Sequence, residues 1–251
     1  MITDPQGSVL ALFLLFCRIG ACMMVLPGFS SARVAMTIRL FVSVALSLAM
    51  LPLMWEPIYS RATNATPGVY VVLIVSESLI GLMFGMIARL YIMGLQFTGS
   101  VIGSMIGLTA PGSVDVLEDT SETTLNNLIT FTGLMVLFMM DFHQIVFKAL
   151  MDSYDTIPLG TLVGSNKMLI TLTDTLTRTF SIMLRLASPF IIFGIMFNFA
   201  AGLLNKLSPQ IPVFFIATPF SVLAGIFLLY LAIAAMLRQF ADGFGPIFLG
   251  G

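Results

Sequence analysis

The chain carries one histidine, two cysteines and few charged side chains, so any chemistry must come from a short set of candidates. His143 follows Asp141 and Phe142 and has Lys148, Asp152 and Asp155 close behind it in the chain. Histidine titrates near neutrality, so this group could relay protons. Catalysis would need more: a nucleophile with its base, a second ligand cluster, or a glycine-rich phosphate loop after a strand. The sequence offers none of these, and a structural histidine near a helix end is the simpler reading. Cys17 and Cys22 lie five apart in one apolar stretch. No metal-ligand spacing fits them, and a helix would hold them on different faces, so they read as apolar filler. The expectation is a protein that is not an enzyme and has no cofactor and no metal.

Charges inside apolar segments are a second set. Arg18, Glu77 and Arg185 each interrupt such a segment, at about 2.5 to 3.5 kcal/mol apiece on insertion scales. They mark either the substrate path of a transporter or pairs shielded by neighbouring helices and subunits. A third set is the linker 111–122, which carries Asp115, Glu118, Asp119 and Glu122 and no base. It reads as a solvated loop or as a mobile plug over a conduit, with Ser121 placed to cap the following helix.

The elements that must position these residues follow from hydrophobicity. Of 251 residues, 58% are hydrophobic and 9% charged, whereas a soluble domain is about a quarter charged. A net charge of -1 gives no field for nucleic acid. Apolar runs cover residues 9–26, ended by Pro27 and Gly28, and 40–55, ended before Pro57. Residues 69–110 are long enough for two helices turning near 89–94. Residues 128–150 form another run, and 151–179 read as a loop plus an amphipathic helix. Two closing runs, 182–204 and 213–237, flank a turn at 205–212. Continuous runs without alternation favour helices over a barrel. The expectation is an all-α polytopic membrane protein of six or seven apolar helices in a single domain, 1–251. The N-terminus has an acid and no base, unlike a secretory signal, so the first helix is expected to stay in the chain. With seven spans, Arg33, Arg39, Arg89, Lys148, Lys167, Arg178 and Arg238 fall on one side and only Arg61 and Lys206 on the other. That distribution puts the N-terminus outside and the C-terminus in the cytoplasm.

Glu77, Gly81, Gly85 and Arg89 recur every fourth residue on one slowly drifting helix stripe, and Arg89 is expected among the buried charges with Arg18, Glu77 and Arg185. Gly99, Gly103 and Gly107 repeat the small-residue pattern with Ser100 and Ser104 beside them. Such ladders serve either ordinary helix packing or a dedicated assembly interface. The 18 methionines suit an ordinary membrane core or a surface that seals around changing cargo, and their number does not choose between them.

The stretch from Ser188, Pro189 and Phe190 to Phe214 and Phe215, with Leu203, Leu204, Pro209, Gln210 and an aromatic run after the turn, resembles the FliR family of bacterial flagellar export proteins. The resemblance extends to Arg18, Pro27 and Arg39, to Glu77, Gly81, Gly85, Gln96, Gly99, Gly103 and Gly107, and to His143, Ser153 and Pro158. One departure is visible: Pro212 stands where that pattern has an asparagine. The resemblance implies a structural subunit of the export gate, made of kinked helical hairpins and assembled with FliP and FliQ, with FlhB and FlhA as neighbours. Unfolded flagellar proteins would be the cargo. The location implied is the inner membrane within the flagellar basal body, with part of the assembly above the bilayer plane. By the same likeness, Pro111, Gly112, Asp115, Glu118 and Asp119 belong to the pore plug, and Pro209, Gln210 and Pro212 shape a hairpin turn. An autonomous secondary transporter using Arg18, Glu77 and Arg185 is the alternative, although no pair of matching inverted halves is visible.

Overall fold

The computed structural model describes residues 4–30, 34–108, 124–159, 165–210 and 212–249. Among them every regular element is a helix. In chain order these are α1 Pro5–Val25, α2 Met36–Met50, α3 Trp55–Asn64, α4 Pro67–Ile106, α5 Thr124–Met139, α6 Phe142–Thr156, α7 Ser165–Leu207, α8 Val213–Asp242 and α9 Gly245–Leu249. Proline opens α1 and α4, where its missing N–H would be unsatisfied in any case.

The hairpin expected within 69–110 does not form. Residues 69–106 belong to the 40-residue helix α4, about 60 Å long at 1.5 Å per residue. Its interior contains glycines but no proline, and glycine alone rarely opens a helix that has no water to satisfy freed amides. The helix ends instead at Gly107, which takes a left-handed φ of 84°. There the Leu108 amide donates to the Gly103 carbonyl at 2.9 Å and the Gly107 amide to Ser104 at 3.3 Å, a Schellman stop. The mixed stretch 151–179 likewise resolves differently: α7 starts at Ser165 and runs unbroken through Pro189 for 43 residues. Conversely, the run 128–150 is broken, because Asp141 sits at φ 55° between α5 and α6.

Among the described residues four helices are long and apolar enough to cross a membrane, or five if α5 and α6 together make one span, and α2 is a shorter apolar helix. These fit the expected all-α polytopic membrane protein. The orientation read from basic residues required two crossings between 69 and 110, so it loses its basis.

The chain gathers into two compact units, Met1–Tyr91 with Phe142–Leu176, and Ile92–Asp141 with Thr177–Gly251. In the first, α1 is the centre, with Leu14, Leu15, Ile19, Cys22 and Met23 almost fully buried. The first half of α4 runs parallel to it: the Tyr70 hydroxyl donates to the Leu10 carbonyl at 2.9 Å, and Gly85 meets Cys22 one turn past Arg18's level. The Tyr59 hydroxyl on α3 ties down the N-terminus by donating to Asp4 at 3.0 Å. In the second unit the last turns of α4 are central. Gly94 faces Thr179 and Met183, and Met105 faces Gly194, so α7 runs parallel to α4. Leu95 faces Gly133 and Gly99 faces Asn126, so α5 runs antiparallel.

Candidate functional site

Arg18 lies on the most buried face of α1, between Leu14 and Cys22. Its guanidinium is fully buried, and so is the Glu77 carboxylate from α4. Nε donates to Oε2 at 2.6 Å and Nη2 to Oε1 at 3.1 Å, the two-pronged geometry that suits arginine and carboxylate. Nη1 donates to the Ser153 hydroxyl on α6 at 2.9 Å, and that hydroxyl donates onward to the Leu150 carbonyl. Nη2 also reaches the Ile157 carbonyl at 3.4 Å, at the C-terminal end of α6, where the helix dipole favours a cation. The Tyr154 ring lies 3.6 Å from the guanidinium carbon and covers its face. One cation thus joins α1, α4 and α6.

Glycine makes that approach possible. A Cβ on Gly81, one turn beyond Glu77, would overlap the Arg18 carbonyl oxygen, and one on Gly85 would stand 2.7 Å from the Cys22 carbonyl oxygen. A Cβ on Gly99 would overlap the Asn126 side chain. Gly81, Gly85 and Gly99 are therefore occupied by packing within the chain. Gly103 is buried as well. Gly107 departs from the expected ladder: nothing lies within 4 Å of its Cβ position, and it serves as the stop of α4.

Two expected buried charges are not buried. Arg89 is exposed, because a four-residue step turns 400° and twelve residues beyond Glu77 the stripe has rotated about 120°. Arg185 is also exposed, opposite the α7 face that buries Met183, Leu186, Ala187 and Phe190. Pro209 and Gln210 form the turn between α7 and α8, and Pro212 is the residue at the N-terminal boundary of α8, with φ -75°. That angle is the one a proline ring imposes, which accounts for its acceptance at this position. Pro111, Gly112, Asp115, Glu118 and Asp119 lie outside the described residues.

Sequence reasoning missed the Tyr154 cover and five close approaches, at Gly7, Gly94, Gly133, Gly194 and Gly225. A signal was available for the last: Ser221, Gly225 and Leu229 mark every fourth residue of α8 and are its buried face. His143 is half-buried beside the Phe142 ring, 6.1 Å between centroids. Among the described residues no group of three or more His, Cys, Asp or Glu is placed to hold a metal ion. The Arg18 guanidinium is held by Glu77, Ser153 and the Ile157 carbonyl, contacts that tie α1, α4 and α6 together.

Residues 9–246 match the family model described as bacterial export proteins, family 1. The chain is 29% identical over 229 residues to the flagellar biosynthetic protein FliR of Caulobacter vibrioides, covering 91% of this chain and 90% of the relative. It is 27% identical over 157 residues to that of Escherichia coli, covering 62% and 60%. With the Bacillus subtilis protein of the same name it shares 20% over 238 residues, covering 92% and 90%.

Proposed function

Because the chain belongs to family 1 of the bacterial export proteins, membrane components of the flagellar export apparatus, we propose that it is one subunit of the export gate in the inner membrane. With FliP and FliQ it lines the channel through which unfolded flagellar proteins leave the cell, and FlhB and FlhA stand beside it. The observation that carries this reading is the extent of bare apolar surface on α7. Large hydrophobic side chains are exposed from Leu169 to Leu207, over about 57 Å of helix. The hydrocarbon of a bilayer is about 30 Å thick. Lipid alone would cover that length only if the helix lay strongly tilted, whereas neighbouring protein subunits cover it in any pose.

Gentle detergent extraction followed by native mass measurement tests the assignment. A stable complex containing two other membrane proteins is the expected result; a lone or homodimeric species would return the chain to the transporter alternative. The acidic segment 111–119 is proposed as the plug that closes the channel. Deleting residues 112–120 is then expected to make reconstituted complexes leak ions, and unchanged permeability would remove the plug role.

A further inference from the structure

At one end of the second unit, α7 and the α8–α9 corner enclose a groove of about 310 Å³ lined by Thr177, Arg178, Ser181, Ile182, Pro246 and Ile247. Its walls are apolar apart from two hydroxyls and one guanidinium. The Ser181 hydroxyl already donates to the Thr177 carbonyl at 2.8 Å, so Arg178 is the group that would meet an anion. Arg185, two helical turns on, lies on the same side of α7, and Arg238 is exposed near the end of α8. The exposed acids toward this end are Asp141, Asp174 and Asp242, and of these Asp174 stands one helical turn before Arg178 on α7.

Charge spacing gives the groove a depth. Between Arg185 and Lys206 lie twenty residues without a charge, 186–205, about 30 Å of helix and one hydrocarbon thickness. On α8 the residues 213–237 are also uncharged before Arg238. A bilayer placed on these uncharged stretches puts Arg185 and Arg238 at the hydrocarbon edge and Arg178 about 10 Å further along α7, on the headgroup side. Below them, Ile192, Met196, Phe199 and Leu203 are exposed within about 40° of Arg185 around the helix. We propose that this groove holds an anionic phospholipid, its phosphate on Arg178 and an acyl chain along the bare α7 stripe. A bare anion would leave the apolar walls unused, and a cationic or zwitterionic headgroup would bring its own ammonium beside the Arg178 and Arg185 guanidiniums. The proposal goes beyond the gate assignment and does not depend on it.

The test uses the full chain reconstituted in phosphatidylcholine vesicles doped with phosphatidylglycerol, then extracted gently and weighed by native mass spectrometry. Phosphatidylglycerol is expected to be retained in preference to phosphatidylcholine. Arg178→Gln should lower that retention about fivefold, the change that one arginine contributes near an anionic surface. Arg178→Lys should keep most of it, Ile182→Trp should displace the lipid by filling the groove, and Arg61→Gln, on α3 and not among the groove's lining residues, should change nothing. Equal retention of both lipids overturns the proposal, as does retention unaffected by both Arg178→Gln and Ile182→Trp. Displacement by inorganic phosphate would assign the groove to a free anion. Loss of a protein partner from Arg178→Gln with lipid retained would assign it to a carboxylate on that partner. If Arg178→Gln fails to fold, Ile182→Trp decides alone.

Discussion

At the scale of residues, the Arg18–Glu77 pair illustrates why a charge placed in an apolar helix signals a partner but not which one. Each ion alone would be strongly disfavoured; together, with Ser153, the Ile157 carbonyl and the Tyr154 ring, the guanidinium is satisfied on its edges and one face. Removing one partner leaves the other buried and uncompensated. Glu77→Gln is therefore expected to destabilise the folded chain by about 3 to 5 kcal/mol, read as a lower thermal midpoint in detergent. Replacing both together, Arg18→Met with Glu77→Leu, should recover most of that loss, because apolar substitutes for a buried ion pair are often neutral. If the double variant is as unstable as the single one, the cluster does more than balance its own charges.

At the scale of elements, Gly81, Gly85 and Gly99 each meet another helix of the same chain. Gly81 and Gly85 allow the backbone of α4 to touch that of α1, and this contact is what places Glu77 at Arg18. Gly81→Ala should force α1 and α4 apart and reduce exported flagellar protein to near background in a complementation assay. Gly68→Ala, at a position with no atom within 4 Å, should be tolerated, since alanine favours helix by about 1 kcal/mol. Normal export with Gly81→Ala would mean that the helices can separate without harm. The helix α2 shows the complementary pattern. Its buried residues are Ser43 and Ser47, each donating its hydroxyl to a carbonyl four residues earlier, while Phe41, Val44 and Leu48 point outward. A helix in water would be arranged the other way round.

At the scale of the whole molecule, that outward apolar surface is the counterpart of an interior that encloses the Arg18–Glu77 pair. Phe41 is 75% exposed on a helix of 15 residues, about 22 Å and short of a bilayer's hydrocarbon. Phe41→Glu should leave the isolated chain folded, with unchanged helical circular dichroism, yet remove it from the complex with other export proteins. Retention of the full complex by that variant would place α2 away from the assembly contacts.

Much of this architecture was legible in the sequence, and for a simple reason. Apolar runs near twenty residues cannot leave backbone groups unpaired in lipid, so composition and run length alone determine helices and membrane residence. The pattern of Gly81 and Gly85 beside Glu77 also announced a close helix contact. What the sequence left open was the helix on the other side of that contact, because spacing encodes a face and not its neighbour. It also left open whether residues 69–110 turn back: glycines permit a turn without requiring one, and the absence of proline let the hydrogen-bonded ladder run on. Only the tertiary structure decided that Glu77 meets Arg18 while Arg89 and Arg185 stay outside, since helical drift and the packing of α1, α4 and α6 select which charges are enclosed.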